Sequence, residues 1–175
     1  MKLYDLLQDV SYTALSPADP EITDVIYDSR KVTQGTAFVC LKGYTSDGHQ
    51  YAQSAVENGA AALVISDDLD FEVPENVAVI KTEDTRLALA LMSRRYFGIP
   101  EQELITVAIT GTKGKTTTAI LLSGILSENG IPCAYIGSNG IDIGPDHYET
   151  VNTTPKAGNC SGISAKWQTP GITMW

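Results

Sequence analysis

The sequence predicts an α/β protein: a small N-terminal α/β domain with a mixed sheet, followed by the start of a parallel α/β domain. Three observations predict it. Short apolar runs alternate with helical patterns along the 175 residues. A polar stretch with two chain breakers, Gly98 to Glu103, follows a complete helical pattern. A strand, a glycine-containing loop, a helix and a second strand then succeed one another within roughly 30 residues, which is typical of a βαβ unit.

The first part is predicted to hold three helices and four strands. A short amphipathic helix is indicated by apolar residues at helical spacing: Leu3, Leu6, Leu7 and Val10. Strands are predicted at 22–28, 36–41, 60–65 and 77–80, where apolar and β-forming residues concentrate. The other helices are predicted at 49–58, ended by Gly59, and at 82–97, ended by Gly98.

The second part begins with an apolar strand at 104–109 and a loop at 110–118. A helix at 116–128, ended by Gly130, leads to a strand at 132–136 and a polar hairpin at 139–149. The predicted domains are therefore 1–98 and 104–155. Residues 156–175 are set apart as an atypical tail, expected to be disordered.

Composition excludes several classes of protein. A net charge of −9 argues against a broad nucleic-acid-binding surface. The cysteines are Cys40, Cys133 and Cys160, and this odd number, widely spaced and without a CxxC pair, fits neither a disulfide framework nor a zinc site. Asp5 and Asp9 interrupt the N-terminal apolar stretch, and no run approaches the ~18 apolar residues of a membrane span. We therefore expect a cytoplasmic protein with neither membrane nor nucleic acid as partner.

A phosphate-binding loop is the sharpest chemical signal. Gly111 and Gly114 follow an apolar strand and precede a helix, so backbone N–H groups can face phosphate oxygens. Lys115 is the candidate catalytic cation and Thr116 the candidate Mg²⁺ ligand. The spacing G-x-x-G-K-T is shorter than the usual G-x-x-x-x-G-K-[ST], and a glycine-rich structural turn is the alternative. The predicted nucleotide-binding residues are Gly111, Thr112, Lys113, Gly114, Lys115, Thr116 and Thr117.

Three stretches in order carry a family resemblance. The 111–118 loop resembles the ATP loop of the Mur ligase superfamily. Asp28-Ser29-Arg30, with the glycines and Asp47-Gly48-His49 that follow, resembles the uridine-nucleotide domain of the MurE and MurF types. Asn152-Thr-Thr-Pro155 resembles the substrate loop of the MurE type. The resemblance extends from Met1 to about Pro155.

This resemblance implies an ATP-dependent amide ligase of peptidoglycan precursor synthesis. A P-loop-type ATPase domain would phosphorylate the D-glutamyl carboxylate of UDP-MurNAc-L-Ala-D-Glu. A diamino acid would then displace phosphate from the acyl phosphate. ATP and Mg²⁺ are the implied cofactors, and the family implies a monomer. The implied substrate-binding residues are Ser29, Arg30, Gly43, Tyr44, Thr45, Ser46, His49, Asn152, Thr153 and Thr154.

Other interpretations stay open. The chain could be a non-catalytic module that binds a UDP-sugar or nucleotide, or another Mur-family ligase of the MurF type. Asp28-Ser29-Arg30 could be a turn with a surface ion pair, and Asn152 to Pro155 an ordinary polar turn. His49 could serve only to start a helix. His147, close in sequence to Asp142 and Asp146, fits a polar hairpin better than a metal site.

The composition changes abruptly after Pro155. Lys156 to Trp175 contain no acidic residue and both tryptophans, and Lys156 stands where the family pattern has an acid. We expect a truncation or a change of reading frame there, and hence an incomplete, inactive fragment. A sheet cut short would leave exposed edges and an uncovered apolar face, which permits edge-mediated association.

Overall fold

The computed structural model describes residues 1–43, 46–99, 104–144 and 146–149, and the backbone of 171–174. The chain divides into two compact units, Met1–Tyr96 and Phe97–Trp175. Each unit contains a mixed sheet with helices, so the predicted α/β class is confirmed. Among the described residues, no helix combines the length and apolar character that crossing a membrane requires.

The first unit is built on a five-stranded sheet in the order β1-β5-β4-β3-β2. Strands β2 to β5 run parallel, and β1 pairs antiparallel with β5. Apolar side chains on both faces of the central strands explain why helices cover both sides. The strands are β1 (Thr13–Ala14), β2 (Val25–Ile26), β3 (Ala37–Val39), β4 (Ala62–Ile65) and β5 (Ala78–Lys81).

Each face of this sheet carries its own apolar core. Val39 joins one cluster with Leu6, Leu89 and Met92, while the adjacent Phe38 joins the other. This alternation follows from the two-residue period of a strand. The helices involved are α1 (Leu3–Leu6) and α3 (Thr85–Tyr96) on the first face, and α2 (Ala52–Glu57) on the second.

Aspartates shorten two of the predicted elements. The predicted strand at 22–28 is reduced to β2 because the Asp28 side chain caps a 3-10 helix, Ser29–Lys31. The predicted helix at 49–58 begins as a 3-10 helix, Gly48–Tyr51, that Asp47 caps, and α2 follows it. In both places a carboxylate accepts a hydrogen bond from a backbone N–H group, which a regular strand or α-helix would bond to a backbone carbonyl.

The second unit also has a five-stranded sheet, in the order β6-β10-β7-β8-β9. The first three strands are parallel, and β7, β8 and β9 form an antiparallel meander. The helix α4 (Lys115–Glu128) connects β6 to β7 as predicted. The strands are β6 (Leu104–Val107), β7 (Cys133–Gly137), β8 (Gly140–Ile143), β9 (Asp146–Tyr148) and β10 (Gly171–Met174).

Strand β10 comes from the stretch that sequence reasoning left outside the fold. Gly171 pairs with Leu104 of β6, and Ile172 pairs with Cys133 of β7, so β10 fills the gap between these strands. The difference has a physical reason. In the β6–α4–β7 crossover, the backbone N–H and C=O groups on the facing edges of β6 and β7 have no partner in either strand. One further parallel strand between them forms those hydrogen bonds. The rest of the atypical tail, 156–170 and Trp175, lies outside the described residues.

Apolar side chains remain exposed on the second unit. Ile120, Leu121 and Ile125 on α4 are 46%, 62% and 60% exposed, and Ile105 on β6 is 65% exposed. Ala119, on the other side of α4, is buried. The helix is therefore apolar on two opposite sides, a pattern typical of a helix enclosed within a larger domain.

The described cysteines are free and buried. Cys40 directly follows β3, and Cys133 lies in β7. Burial raises the pKa of the Cys40 thiol to about 12. Cys160 lies outside the described residues. A thiol with so high a pKa stays protonated and unreactive at neutral pH.

The core of the first unit should depend strongly on Phe38. We expect Phe38→Ala to lower the free energy of unfolding by about 3–5 kcal/mol, because this ring is fully buried. Leu87→Ala, at a site 55% exposed on α3, is the control and should change it by less than about 0.5 kcal/mol. Urea denaturation of both variants measures the difference. Equal losses would contradict the assignment of Phe38 to the core.

Candidate nucleotide and substrate sites

The predicted phosphate loop lies between β6 and α4. Gly114 takes a left-handed conformation, with φ of +79°, directly before the helix begins at Lys115. A glycine adopts this conformation without strain, and nothing lies within 4 Å of where its Cβ would be. The first-turn N–H groups of a helix have no partner within the helix, so they are available to an anion.

Lys115 bends back over this loop. Its Nζ donates a hydrogen bond of 2.5 Å to the carbonyl oxygen of Gly111. The ammonium group therefore lies against the loop. A change of side-chain rotamer would let it reach a phosphate bound there. The loop residues Gly111, Thr112, Lys113 and Gly114 are exposed, as is Thr117 in the first turn of α4.

Thr116 contacts a residue that sequence reasoning did not single out. Its Oγ1 lies 3.3 Å from the Oγ of Ser138, which follows β7. The pair joins the first turn of α4 to the carboxyl end of the neighbouring strand. Hydroxyl oxygens are hard ligands of the kind that Mg²⁺ prefers. This ion binds few protein groups and keeps several of its waters. These residues therefore fit a magnesium ion.

Ser29 and Arg30 lie just after β2, on the 3-10 helix. Arg30 makes a forked ion pair with Asp28: its Nε donates to Oδ1 at 2.9 Å and its second guanidinium nitrogen to Oδ2 at 2.7 Å. The Arg30 side chain is nonetheless 86% exposed. The surface ion pair that sequence reasoning kept as an alternative is thus present. It also holds the guanidinium at the end of the strand.

The loop after β3 is closed at its base by backbone contacts. The N–H of Gly43 donates to the carbonyl of Ser46 at 2.9 Å, and a Cβ on Gly43 would lie 2.9 Å from that same oxygen. A larger residue at 43 would therefore force the loop apart. The other candidates in this loop, Tyr44 and Thr45, lie outside the described residues.

His49 has both ring nitrogens bonded to protein. Its Nδ1 lies 2.5 Å from Asp47 Oδ1, and its Nε2 accepts from the backbone N–H groups of Ser66 at 3.0 Å and Asp67 at 3.3 Å. The ring is only 9% exposed. His49 therefore fastens the end of β4 to the loop after β3, and we interpret it as a support for that loop.

Two charged neighbours complete this support. Asp67 pairs with Lys42, which holds the pKa of the Asp67 carboxyl below its usual range. Arg86 of α3 donates to the Lys42 carbonyl oxygen at 2.6 Å. Asp47, His49 and Asp67 lie close enough to suggest a metal site, but their ligand atoms are already committed to these contacts. Sequence reasoning missed Asp67 and Arg86, although Asp67 closely follows a strand end.

The last candidates fall outside the described residues: Asn152, Thr153 and Thr154. On the hairpin, His147 Nδ1 lies 2.5 Å from Asp142 Oδ1, and both side chains are more than half exposed. Asp146 is their neighbour in β9.

The loop between β6 and α4 has the form found in nucleotide-binding α/β proteins. Comparison with known families gives a match in each unit. Residues 21–97 match the Mur ligase family, catalytic domain, and residues 109–174 match the Mur ligase middle domain. The chain therefore belongs to the Mur ligase family.

Similar curated proteins are UDP-N-acetylmuramoyl-L-alanyl-D-glutamate–2,6-diaminopimelate ligases. That of Clostridium perfringens is 39% identical over 158 residues, 90% of this chain and 32% of the relative. That of Halalkalibacterium halodurans is 37% identical over 174 residues, 99% of this chain and 35% of the relative. The chain thus spans about a third of the length of these relatives.

Solved structures give the same family. A ligase of that same name is 25% identical, with a TM-score of 0.69 over 87% of this chain and 31% of its own. MurF from Acinetobacter baumannii is also 25% identical, with a TM-score of 0.67 over 98% of this chain and 34% of its own.

The Asp28–Arg30 pair should be visible in acid titration. The hydrogen bonds from Arg30 lower the pKa of Asp28 from 3.8 to about 2. A lowered native pKa means that the pair contributes stability above pH 3.8, which is lost as pH falls through about 2. By ¹³C NMR of the carboxyl carbon at about pH 3, we expect Asp28 to be mostly ionised in the native chain and mostly protonated in Arg30→Gln.

The matched control is Lys31→Gln, because Lys31 contributes least to the lowered pKa of Asp28. It should leave the Asp28 titration nearly unchanged. An equal rise in the pKa of Asp28 in both variants would show that general positive charge, and not the forked pair, holds the carboxylate ionised.

Proposed function

We propose that this chain carries the uridine-nucleotide and ATP-loop portions of a MurE-type ligase. The reaction is the ATP-dependent joining of a diamino acid to UDP-MurNAc-L-Ala-D-Glu in peptidoglycan precursor synthesis, in the cytoplasm. The observation that carries the proposal is the loop formed by Gly114, Lys115 and Thr116 at the start of α4. The names of the similar ligases support 2,6-diaminopimelate as the diamino acid.

The loop suits the first half of this reaction. Phosphoryl transfer needs positioning and charge neutralisation more than covalent groups from the protein. The N–H groups at the start of α4 would hold the phosphates. Lys115 would leave the Gly111 carbonyl for the transferring phosphoryl group, whose negative charge it stabilises. Thr116 and Ser138 would hold the magnesium ion, which supplies further neutralisation of phosphate charge when bound.

The first unit suits the uridine diphosphate end of the substrate. Arg30 presents a planar, exposed guanidinium that matches phosphate geometry, and the Asp28 carboxylate holds it in place. Ser29 adds a hydroxyl beside it. The loop after β3, from Gly43 to Ser46, would contribute backbone N–H groups. His49 would act by holding that loop and not by touching the substrate.

A binding module without turnover is the second candidate for residues 1–175. One observation favours it: the described groups of both sites, the loop at the start of α4 and the exposed Arg30, are of a kind that binds phosphate. On this interpretation the chain binds both nucleotides and releases no phosphate. A coupled phosphate-release assay with UDP-MurNAc-L-Ala-D-Glu and diaminopimelate separates the two: substrate-dependent release supports the catalytic function.

Lys115 should dominate the affinity for ATP. We expect Lys115→Ala to raise the Kd of Mg·ADP at least about tenfold, because one charge-assisted hydrogen bond to phosphate is lost. Isothermal titration calorimetry measures the affinity. Lys81→Ala is the control, since Lys81 pairs with Asp68 in the first unit, and it should bind as the native chain does. Equal affinity in Lys115→Ala and native chain would refute the assigned role of Lys115.

Ser29 should affect the other ligand. We expect Ser29→Ala to weaken binding of UDP-MurNAc-L-Ala-D-Glu by about three- to tenfold, the effect of one lost hydrogen bond, without changing the Kd of Mg·ADP. Ser54→Ala, at an exposed serine of α2, is the matched control and should change neither affinity. If Ser29→Ala binds the uridine ligand as tightly as the native chain, the hydroxyl has no part in that site.

A further inference from the structure

The hydroxyl of Tyr135 is buried, and the described part of the chain offers it no hydrogen-bond partner. Tyr135 lies in β7 and is only 3% exposed. Its hydroxyl oxygen has no hydrogen-bond partner among the described residues. A buried polar group is normally bonded to protein or to ordered water, and one that is not asks for an explanation. In many proteins that explanation is a ligand or a water held with it.

This hydroxyl points toward the carboxyl end of β7. Gly137 follows two residues later on the same face of the strand. A Cβ built on Gly137 would overlap the Tyr135 hydroxyl, so the absence of a side chain there makes room for it. Ser138, the partner of Thr116, comes next in the chain. The Tyr135 hydroxyl therefore lies beside Gly137, the residue that precedes Ser138 of the hydroxyl pair.

The contacts of α4 show that Tyr135 faces the same helix. Cys133 lies two residues before Tyr135 on the same face of the strand. Burial raises the pKa of its thiol, and Ser123 of α4 lies close enough to offset part of that rise. Thr116, two turns earlier in α4, meets Ser138 at the other end of β7. The helix and strand thus run in opposite directions, and Tyr135 lies between these two contacts. Its hydroxyl is directed toward the end where the phosphate loop begins.

We infer that Tyr135 is a positioning residue of the ATP site, whose hydroxyl accepts a hydrogen bond from a water of the hydrated magnesium ion. The inference rests on the proposed nucleotide function of this loop. Magnesium retains several of its waters in protein sites and makes them strong hydrogen-bond donors. Thr116 and Ser138 supply exposed or half-exposed oxygens, while Tyr135 supplies a buried one beside Gly137. A metal-bound water would satisfy the hydroxyl that residues in the described ranges leave unbonded.

The substitution Tyr135→Phe removes this oxygen and nothing else of the side chain. In the absence of nucleotide, we expect the melting temperature of the variant to equal or exceed that of the native chain, because no hydrogen bond to a described residue is lost. We expect the Kd of Mg·ADP to rise about three- to tenfold, the effect of one hydrogen bond to a polarised water. The Kd of ADP in excess EDTA should not change, since without the metal ion this water is absent.

A spectroscopic readout separates positioning from a structural role. With Mn²⁺ in place of Mg²⁺, the electron paramagnetic resonance spectrum of the bound Mn·ADP complex should change in Tyr135→Phe. The control is Tyr148→Phe, a 40% exposed tyrosine on β9, which is separated from β7 by β8. It should leave both the Mn²⁺ spectrum and the Kd of Mg·ADP as they are in the native chain.

These measurements test the role of Tyr135 separately from the proposed nucleotide site. If the native chain does not bind Mg·ADP, the proposed nucleotide site itself is wrong. If the native chain binds and Tyr135→Phe binds Mg·ADP equally well, the site stands and the role of Tyr135 is refuted. A lower melting temperature without nucleotide, or equal weakening with and without metal ion, also refutes it, because either result indicates a structural bond.

Discussion

Parallel pairing of strands is the constraint on which the candidate sites depend. Parallel neighbours must be joined by crossovers, so all their carboxyl ends meet at one edge of the sheet. In the first unit this edge carries Ser29 after β2, Gly43 after β3 and Asp67 after β4. In the second it carries Gly111 after β6 and Ser138 after β7. Each unit gathers residues distant in sequence because its strands share a direction.

Local patterns predicted most of the scaffold. The bounds of α3 and α4 follow from apolar spacing and from the glycines beyond their ends, and the phosphate loop follows from residues adjacent in sequence. The contacts that complete the sites were not predictable in this way. Ser138 meets Thr116, and Arg86 reaches the Lys42 carbonyl, only after the chain has folded, and serine or arginine at these places carries no local signal. Strand β10 was missed because its four residues follow a stretch of unusual composition.

Two histidine–aspartate pairs show why residue type alone does not assign a role. His49–Asp47 and His147–Asp142 have the same 2.5 Å separation between Nδ1 and a carboxylate oxygen. The first ring is 9% exposed and its other nitrogen accepts two backbone N–H groups, whereas the second is 54% exposed on a hairpin. The sequence suggested ligand binding for His49, whereas its burial and the contacts of its second nitrogen favour a role in supporting the loop.

The position of β10 has a consequence for the order in which the chain acquires its shape during synthesis. A ribosome releases the polypeptide from the amino end, so β6, α4 and β7 emerge well before Gly171–Met174. Until β10 is made, the backbone N–H and C=O groups of β6 and β7 that pair with it remain hydrated. The first unit has no such dependence, because all its strands lie before Tyr96. The first unit can therefore reach its final form while the second still waits for β10.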